Sequence, residues 1–242
     1  MKKHKTRIYV NKSISSNLII YIKDKQHHFL KNVLRIKSGD EIIVFDGISG
    51  EWLSTVISIN RDNTALRISK NLKKIKKSLD LWLIFAPIKQ SRMSLAIQKA
   101  TELGVSKIIP CKTQFTNIKN INIKNLFDNA IEAAEQSQRF DIPTIEKETD
   151  LMSLLQNWPD DRTLVFCDEK SNCKGIIENL EKIKHSATKW SVMIGPEGGF
   201  SDTERDLILQ NKNVVPVSLG NTILRSDTAI TVAFYCLKEI TS

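Results

Sequence analysis

Two stretches near the carboxyl end hold the residue types best suited to chemistry: Ile194-Gly195-Pro196-Glu197-Gly198-Gly199-Phe200-Ser201 and Ser218-Leu219-Gly220-Asn221-Thr222-Ile223-Leu224-Arg225-Ser226-Asp227-Thr228-Ala229. The first places three glycines within five residues, so its backbone can come close to a ligand, and Pro196 stiffens it. Ser201 and Glu204 form an S-x-x-E capping box, with Asp202 placed for the dipole of the helix that follows. In the second stretch Leu219 and Leu224 flank Gly220, and Ser226 or Asp227 can cap a helix running to Ile240. Each stretch follows a short apolar run, residues 190–194 and 214–219, and precedes a helical pattern. Each therefore reads as a strand-to-helix crossover of an α/β sheet, the place where such sheets bind ligands. The chain has no G-x-G-x-x-G and no G-x-x-x-x-G-K-[ST], which argues against the usual dinucleotide and triphosphate cradles. Spacing alone leaves two readings open, a small polar ligand held on two crossovers and a pair of tight turns.

The elements that must position these loops follow a regular alternation. Residues 81–86, 105–111, 162–167, 189–194 and 214–219 read as strands. Between and after them, residues 91–103 (closed by Gly104), 123–139, 175–183, 201–210 and 227–240 read as helices. In the last helix Ala229, Ala233, Cys236, Leu237 and Ile240 fall on one face and mark it as core. Strands alternating with helices predict a mostly parallel sheet. The front third is different. Residues 41–46, 51–59 and 64–68 are β-branched and apolar, separated by Asp46-Gly47-Ile48-Ser49-Gly50 and Arg61-Asp62-Asn63, with a short helical candidate at 26–35 ahead of them. That pattern suits a small β-barrel. A basic stretch, residues 71–78, joins the two parts, and the expected division is 1–72, a linker at 73–77, and 78–242.

Composition bounds the function classes. A hydrophobic content of 41% with 26% charged residues fits a globular chain. The net charge of +9 is uneven: residues 1–79 carry 17 Lys/Arg against 6 Asp/Glu, or +11, while residues 80–242 carry 19 against 21, or −2. A basic module beside a near-neutral one points to a polyanion partner. The four cysteines, Cys111, Cys167, Cys173 and Cys236, show no metal-binding spacing, and free thiols are expected with no metal. The longest apolar run, 81–88, is far short of the roughly 20 residues that span a membrane. A cytoplasmic location is the default expectation.

The paired signatures I-G-P-E-G-G-F-S and L-G-N-T-I-L-R-S-D-T-A closely resemble those of the ribosomal RNA small-subunit methyltransferase E family of the SPOUT class. Lys99-Ala100-Thr101-Glu102-Leu103-Gly104-Val105 and Glu132-Ala133-Ala134-Glu135-Gln136-Ser137-Gln138-Arg139 extend the likeness upstream. The chain departs from the family pattern at Gln114-Phe115-Thr116, where an acidic-Arg-Ser triplet is usual, and at Asp227, where Glu is usual. The resemblance implies a SPOUT-type sheet with a C-terminal trefoil knot behind a PUA-like barrel, a homodimer, and methyl transfer from S-adenosylmethionine to N3 of a uridine in 16S ribosomal RNA. For the cofactor it implies Phe166, Cys167 and Asp168, with Gly195, Pro196, Glu197, Gly198, Leu219, Gly220 and Leu224. For the reaction it implies Arg225 and Arg139 on the target phosphate or a developing uracil oxyanion, Gln136 on a uracil carbonyl, and Glu197 on a loop amide, the ligand or the substrate. Arg7, Arg35, Lys89 and Arg92 are the implied RNA contacts. The general base stays open between Glu197, Asp227 and a lowered N3 pKa with no dedicated base.

Overall fold

Alternating apolar residues such as Ile42 and Val44, or Leu66 and Ile68, force strands that bury one face, and these build the front of the chain. The computed structural model describes residues 4–75, 79–118, 120–169, 173–185 and 187–241. Contacts group the chain into two units, Met1–Lys77 with Ala134–Ile142, and Ser78–Ala133 with Pro143–Ser242.

In the first unit, β1 (Arg7–Tyr9), β2 (Ile19–Ile22), β3 (Glu41–Phe45), β4 (Glu51–Ile59) and β5 (Thr64–Lys73) form a mixed sheet in the order β1-β3-β4-β5-β2. Only β1 with β3 is parallel among the described pairings. Helix α1 (Asp24–His28) runs on into a π-helical turn, Phe29–Val33, which sets Leu30 against Ile8, Ile42, Val56 and Leu66 in the core. Strand β5 extends past the expected residue 68 because Asn71 and Lys73 pair with Trp52 and Glu51. The expected linker therefore begins later, and its Lys76 and Lys77, with Ser78 after them, lie outside the described residues. His28 is exposed, whereas its neighbour His27 is buried with its ring nitrogens 2.9 Å from Thr64 Oγ1 and 3.1 Å from the Arg61 carbonyl.

Arg7 overturns one expectation. It is not offered to RNA: it is 8% exposed, with its guanidinium carbon 3.7 Å from the Phe45 ring centroid. Nε donates to Glu51 Oε1 at 2.5 Å, Nη1 to the Ala134 carbonyl at 2.6 Å, and Nη2 to the Arg139 carbonyl. Burial draws its pKa down while Glu51 opposes the shift, so the pair is a buried structural ion pair. The Tyr9 amide and the Gln26 side chain both donate to Glu135 Oε1, at 2.9 and 3.0 Å. These bonds explain why residues 134–142 group with the first unit rather than with the sequence around them.

In the second unit, β6 (Leu81–Phe85), β7 (Lys107–Lys112), β8 (Thr144–Ile145), β9 (Thr149–Asp150), β10 (Thr163–Cys167), β11 (Trp190–Ile194) and β12 (Val214–Val217) make one parallel sheet. Its order is β12-β10-β11-β6-β7-β8, with β9 pairing β7. Every residue of β11 is buried, as a central parallel strand covered on both faces requires. The helices are α2 (Gln90–Glu102), α3 (Ile123–Ser137), α4 (Leu151–Gln156), α5 (Ile176–Ile183), α6 (Asp202–Leu209) and α7 (Ser226–Thr241). Gly104 ends α2 at φ +96°, and the Val105 amide turns back to the Ala100 carbonyl at 3.0 Å. Helix α7 packs on α2, α5 and β11. No helix among the described residues is long and apolar enough to cross a membrane.

Candidate functional site

The chain leaves β10, β11 and β12 at neighbouring carboxyl ends, and the three loops enclose one hollow of about 210 Å³. Its walls come from Cys167–Glu169, from the loop after β11, from residues 218–226, and from Arg205 and Ala229 on α6 and α7.

The loop after β11 is shaped by its own packing. Phe200 folds under the backbone so closely that a Cβ on Gly195 would lie 2.7 Å from the ring, and the ring meets Phe166 edge-on at 5.1 Å. The Gly199 amide closes a turn onto the Pro196 carbonyl at 2.9 Å. Behind it the capping box forms as read: the Glu204 amide donates to Ser201 Oγ at 3.3 Å and the Ser201 amide to Glu204 Oε2 at 3.0 Å. Glu204 Oε1 also accepts from the Gln114 amide at 2.7 Å, which ties the atypical Gln114-Phe115-Thr116 stretch to α6.

The loop after β12 has few partners of its own. Gly220 sits at φ +124°, where a side chain is strained, and a Cβ there would meet no atom within 4 Å, so its backbone is uncovered. Its amide donates to Ser218 Oγ at 3.3 Å. Ser226 Oγ donates to the Gly195 carbonyl at 3.0 Å and joins the two loops. Arg225 has a 60% exposed side chain and donates from Nη2 to Asp227 Oδ2 at 3.2 Å, while Asp227 is 4% exposed at the first turn of α7.

Of the residues expected at a cofactor, Cys167, Asp168, Gly195, Pro196, Glu197, Leu219, Gly220 and Leu224 line this hollow together with Arg225. Two do not line it. Phe166 is fully buried in the core beneath Phe200, and a Cβ on Gly198 would face Phe115 at 3.1 Å, so both support the loop from behind. Asp168 is held by Arg205, Oδ2 to Nη2 at 2.8 Å. Arg205, Glu169 and Ser226 are wall residues that sequence reasoning missed. The signal for Arg205 lay only in its position on the helix that the capping box starts. Withdrawal from water, with Cys236 and Asp168 nearby, pushes the Cys167 thiol up, so it is a neutral wall rather than a nucleophile.

Glu197 pairs with Arg92 of α2, Oε1 to Nη1 at 2.7 Å, and Lys89 is exposed at the start of the same helix. In the first unit, Gln136 is exposed and Arg35 is exposed at φ +49°. Arg139 is a correction: it is 9% exposed, and Nε and Nη2 grip Asp141 at 2.9 and 3.1 Å, so its guanidinium is already engaged. No group of three or more His, Cys, Asp or Glu residues among the described residues is arranged to hold a metal ion.

A family profile described as an RNA methyltransferase domain matches residues 75–238, and one described as an RNA methyltransferase PUA domain matches residues 22–69. The chain is 35% identical to the ribosomal RNA small subunit methyltransferase E of Rickettsia conorii, over 94% of its own length and 92% of that protein's. It is 30% identical to the protein of that name from Buchnera aphidicola subsp. Schizaphis graminum, over 98% and 97%. A Legionella pneumophila structure solved with S-adenosylmethionine as its bound cofactor superposes with a TM-score of 0.87 at 26% identity, covering 97% of each chain. With a methyltransferase profile across most of its residues, a PUA-like unit before a parallel α/β unit, and relatives matched nearly end to end, the chain belongs to the ribosomal RNA small subunit methyltransferase E family.

Proposed function

We propose that this chain transfers the methyl group of S-adenosylmethionine to N3 of a uridine in 16S ribosomal RNA. The observation that carries the reading is the convergence of three crossover loops on one hollow, two of them bearing the paired signatures. The hollow fits the cofactor. Ile194, Leu219, Leu224 and Ala229 offer apolar surface to a purine, the uncovered Gly220 backbone admits close approach, and the Asp168–Arg205 pair offers one charge of each sign to an amino-acid end. When bound, the cofactor supplies an electrophilic methyl carbon on a positively charged sulfur.

The chain then has to position the acceptor and manage its charge. N3 lies on the pairing edge of the base, so the uridine is extruded first, at a cost of a few kcal/mol that RNA contacts must recover. Arg225, exposed at the hollow and steadied by Asp227, holds the target phosphate or the uracil oxygen on which charge grows as the N3 proton leaves. Glu197 shapes its loop through Arg92. Arg35, Lys89 and the outer part of Arg92 contribute phosphate contacts. Family membership supports a C-terminal knot, pairing of two chains and a cytoplasmic site of action. Ile223 and Tyr235, 79% and 56% exposed, are apolar surface that a second copy would cover.

Calorimetry is expected to show S-adenosylmethionine binding in the micromolar range. Methyl mapping of small-subunit RNA from cells lacking the chain is expected to show one missing N3-methyluridine, restored by the wild type. A missing 2′-O-methyl group or a transfer-RNA target would move the chain to another SPOUT activity. Absence of binding heat would leave a non-catalytic assembly factor.

A further inference from the structure

Strand β2 carries an apolar row that its own sheet does not use. Ile20 and Ile22 point into the core, 6% and 3% exposed, while Ile19 and Tyr21 stand out at 41% and 61%. The register sets Ile19 opposite Arg67 and Tyr21 opposite Ala65, so Ile19, Tyr21 and Arg67 share one face. Tyr21 is diagonal to Arg67, a spacing that an aromatic ring and a long side chain can bridge. Arg67 is exposed, and its neighbour on β4 is Thr55. Because β2 ends the strand order, this face lies at a sheet edge, where exposed apolar rows invite a partner and are ordinarily blunted.

We propose that this face is a stacking platform for single-stranded RNA, with the Tyr21 ring taking one base and Arg67 an adjoining phosphate. Charge selects the occupant: residues 1–79 carry a net +11, and Lys23, just past the end of β2, and Lys70 on β5 are exposed. Every base offers a π-face, so such a platform tolerates sequence and rejects duplex, whose bases are already stacked. An exposed ring at the edge also meets RNA without breaking any core contact. The proposal rests on the RNA-directed reading above but not on the methyl-donor pocket, since neither Tyr21 nor Arg67 lines it.

The test uses the full chain, fluorescence anisotropy, and a labelled oligouridylate of about ten nucleotides, with a duplex of equal length as comparator. Tyr21→Ala is expected to weaken single-strand binding about tenfold and Tyr21→Phe to leave it within about twofold. Arg67→Ala is expected to weaken it and to lower the salt slope by about 0.7. Calorimetry with S-adenosylmethionine is expected to be unchanged in all three variants, and thermal unfolding reports that their first unit folds. Wild-type RNA affinity in both Tyr21→Ala and Arg67→Ala overturns the platform and leaves the methyl-transfer reading standing. Equal binding of duplex, or equal losses in Tyr21→Ala and Tyr21→Phe, overturns stacking. Failure of the wild type to bind the oligonucleotide, with β2 instead pairing an extended peptide, assigns the face to protein and overturns the proposal.

Discussion

The loop at residues 46–50 in the first unit and the loop at residues 218–225 in the second both follow a strand and both contain a glycine at positive φ. The first turns inward. Asp46, 5% exposed, accepts from the amides of Ile14, Ile48 and Ser49 at 3.0, 2.9 and 2.7 Å and from Ser49 Oγ at 2.7 Å. Trp52 Nε1 and Asn71 Nδ2 then brace Ser49 at 2.8 and 2.9 Å. The second turns outward, with Gly220, Asn221, Thr222, Ile223 and Arg225 exposed and Arg225 held at Asp227. A loop whose polar groups answer one another contributes to stability, and one that leaves them facing solvent is available to a ligand.

That contrast can be broken by experiment. Arg225→Ala is expected to lower methylation about 10²- to 10³-fold, the scale of losing one oxyanion donor, with thermal stability and cofactor affinity nearly unchanged. A large loss of stability would show that the outward loop also supports the fold. Asp46→Ala is expected to cost about 3 kcal/mol in denaturant unfolding, because three amides and a hydroxyl lose a charged acceptor, while cofactor affinity holds. A collapse in cofactor affinity would erase the distinction from the other side.

The same carboxylate gives a pH test. Desolvation pushes Asp46 up, but hydrogen bonds from Ser49, Ile48 and Ile14 outweigh it and hold it below its ordinary range. A depressed folded pKa adds stability above the unfolded value of about 3.9, and that stability is lost as pH falls through the folded value. Asp46→Asn is therefore expected to flatten the acid limb of stability against pH. Gly195→Ala, which drives a Cβ against Phe200, is expected to cost about 2 kcal/mol and to weaken cofactor binding through loop displacement. Ser201→Ala is the smallest change, about 1 kcal/mol for one lost cap, read by thermal unfolding.

Local chemistry explains what was legible. The Ser201–Glu204 box and the Gly104 stop are short-range devices written in adjacent residues, and both appear as read. The α/β alternation was visible because helical and strand periods differ over several residues. What escaped depends on distant partners. Strand β1 is three residues long and exists by pairing with β3, so no period announced it. Arg7 looked like a surface cation until Glu51, Phe45 and two carbonyls more than a hundred residues away enclosed it. Phe166 was adjacent in sequence to true wall residues, but strand alternation turned it toward Phe200 and away from the hollow. Arg205 finds Asp168 across 37 positions, a pairing that spacing does not encode.

The grouping of residues 134–142 with the first unit bears on synthesis. As the chain emerges from its amino end, Arg7 and Glu51 are both present long before the carbonyls of Ala134 and Arg139 that complete the guanidinium's shell. Until more than half of the polypeptide has been translated, the Nη1 and Nη2 donors of Arg7 therefore have only water to bond in place of those two carbonyls. A fragment ending at Lys77 keeps the Arg7–Glu51 pair but leaves those two donors to solvent.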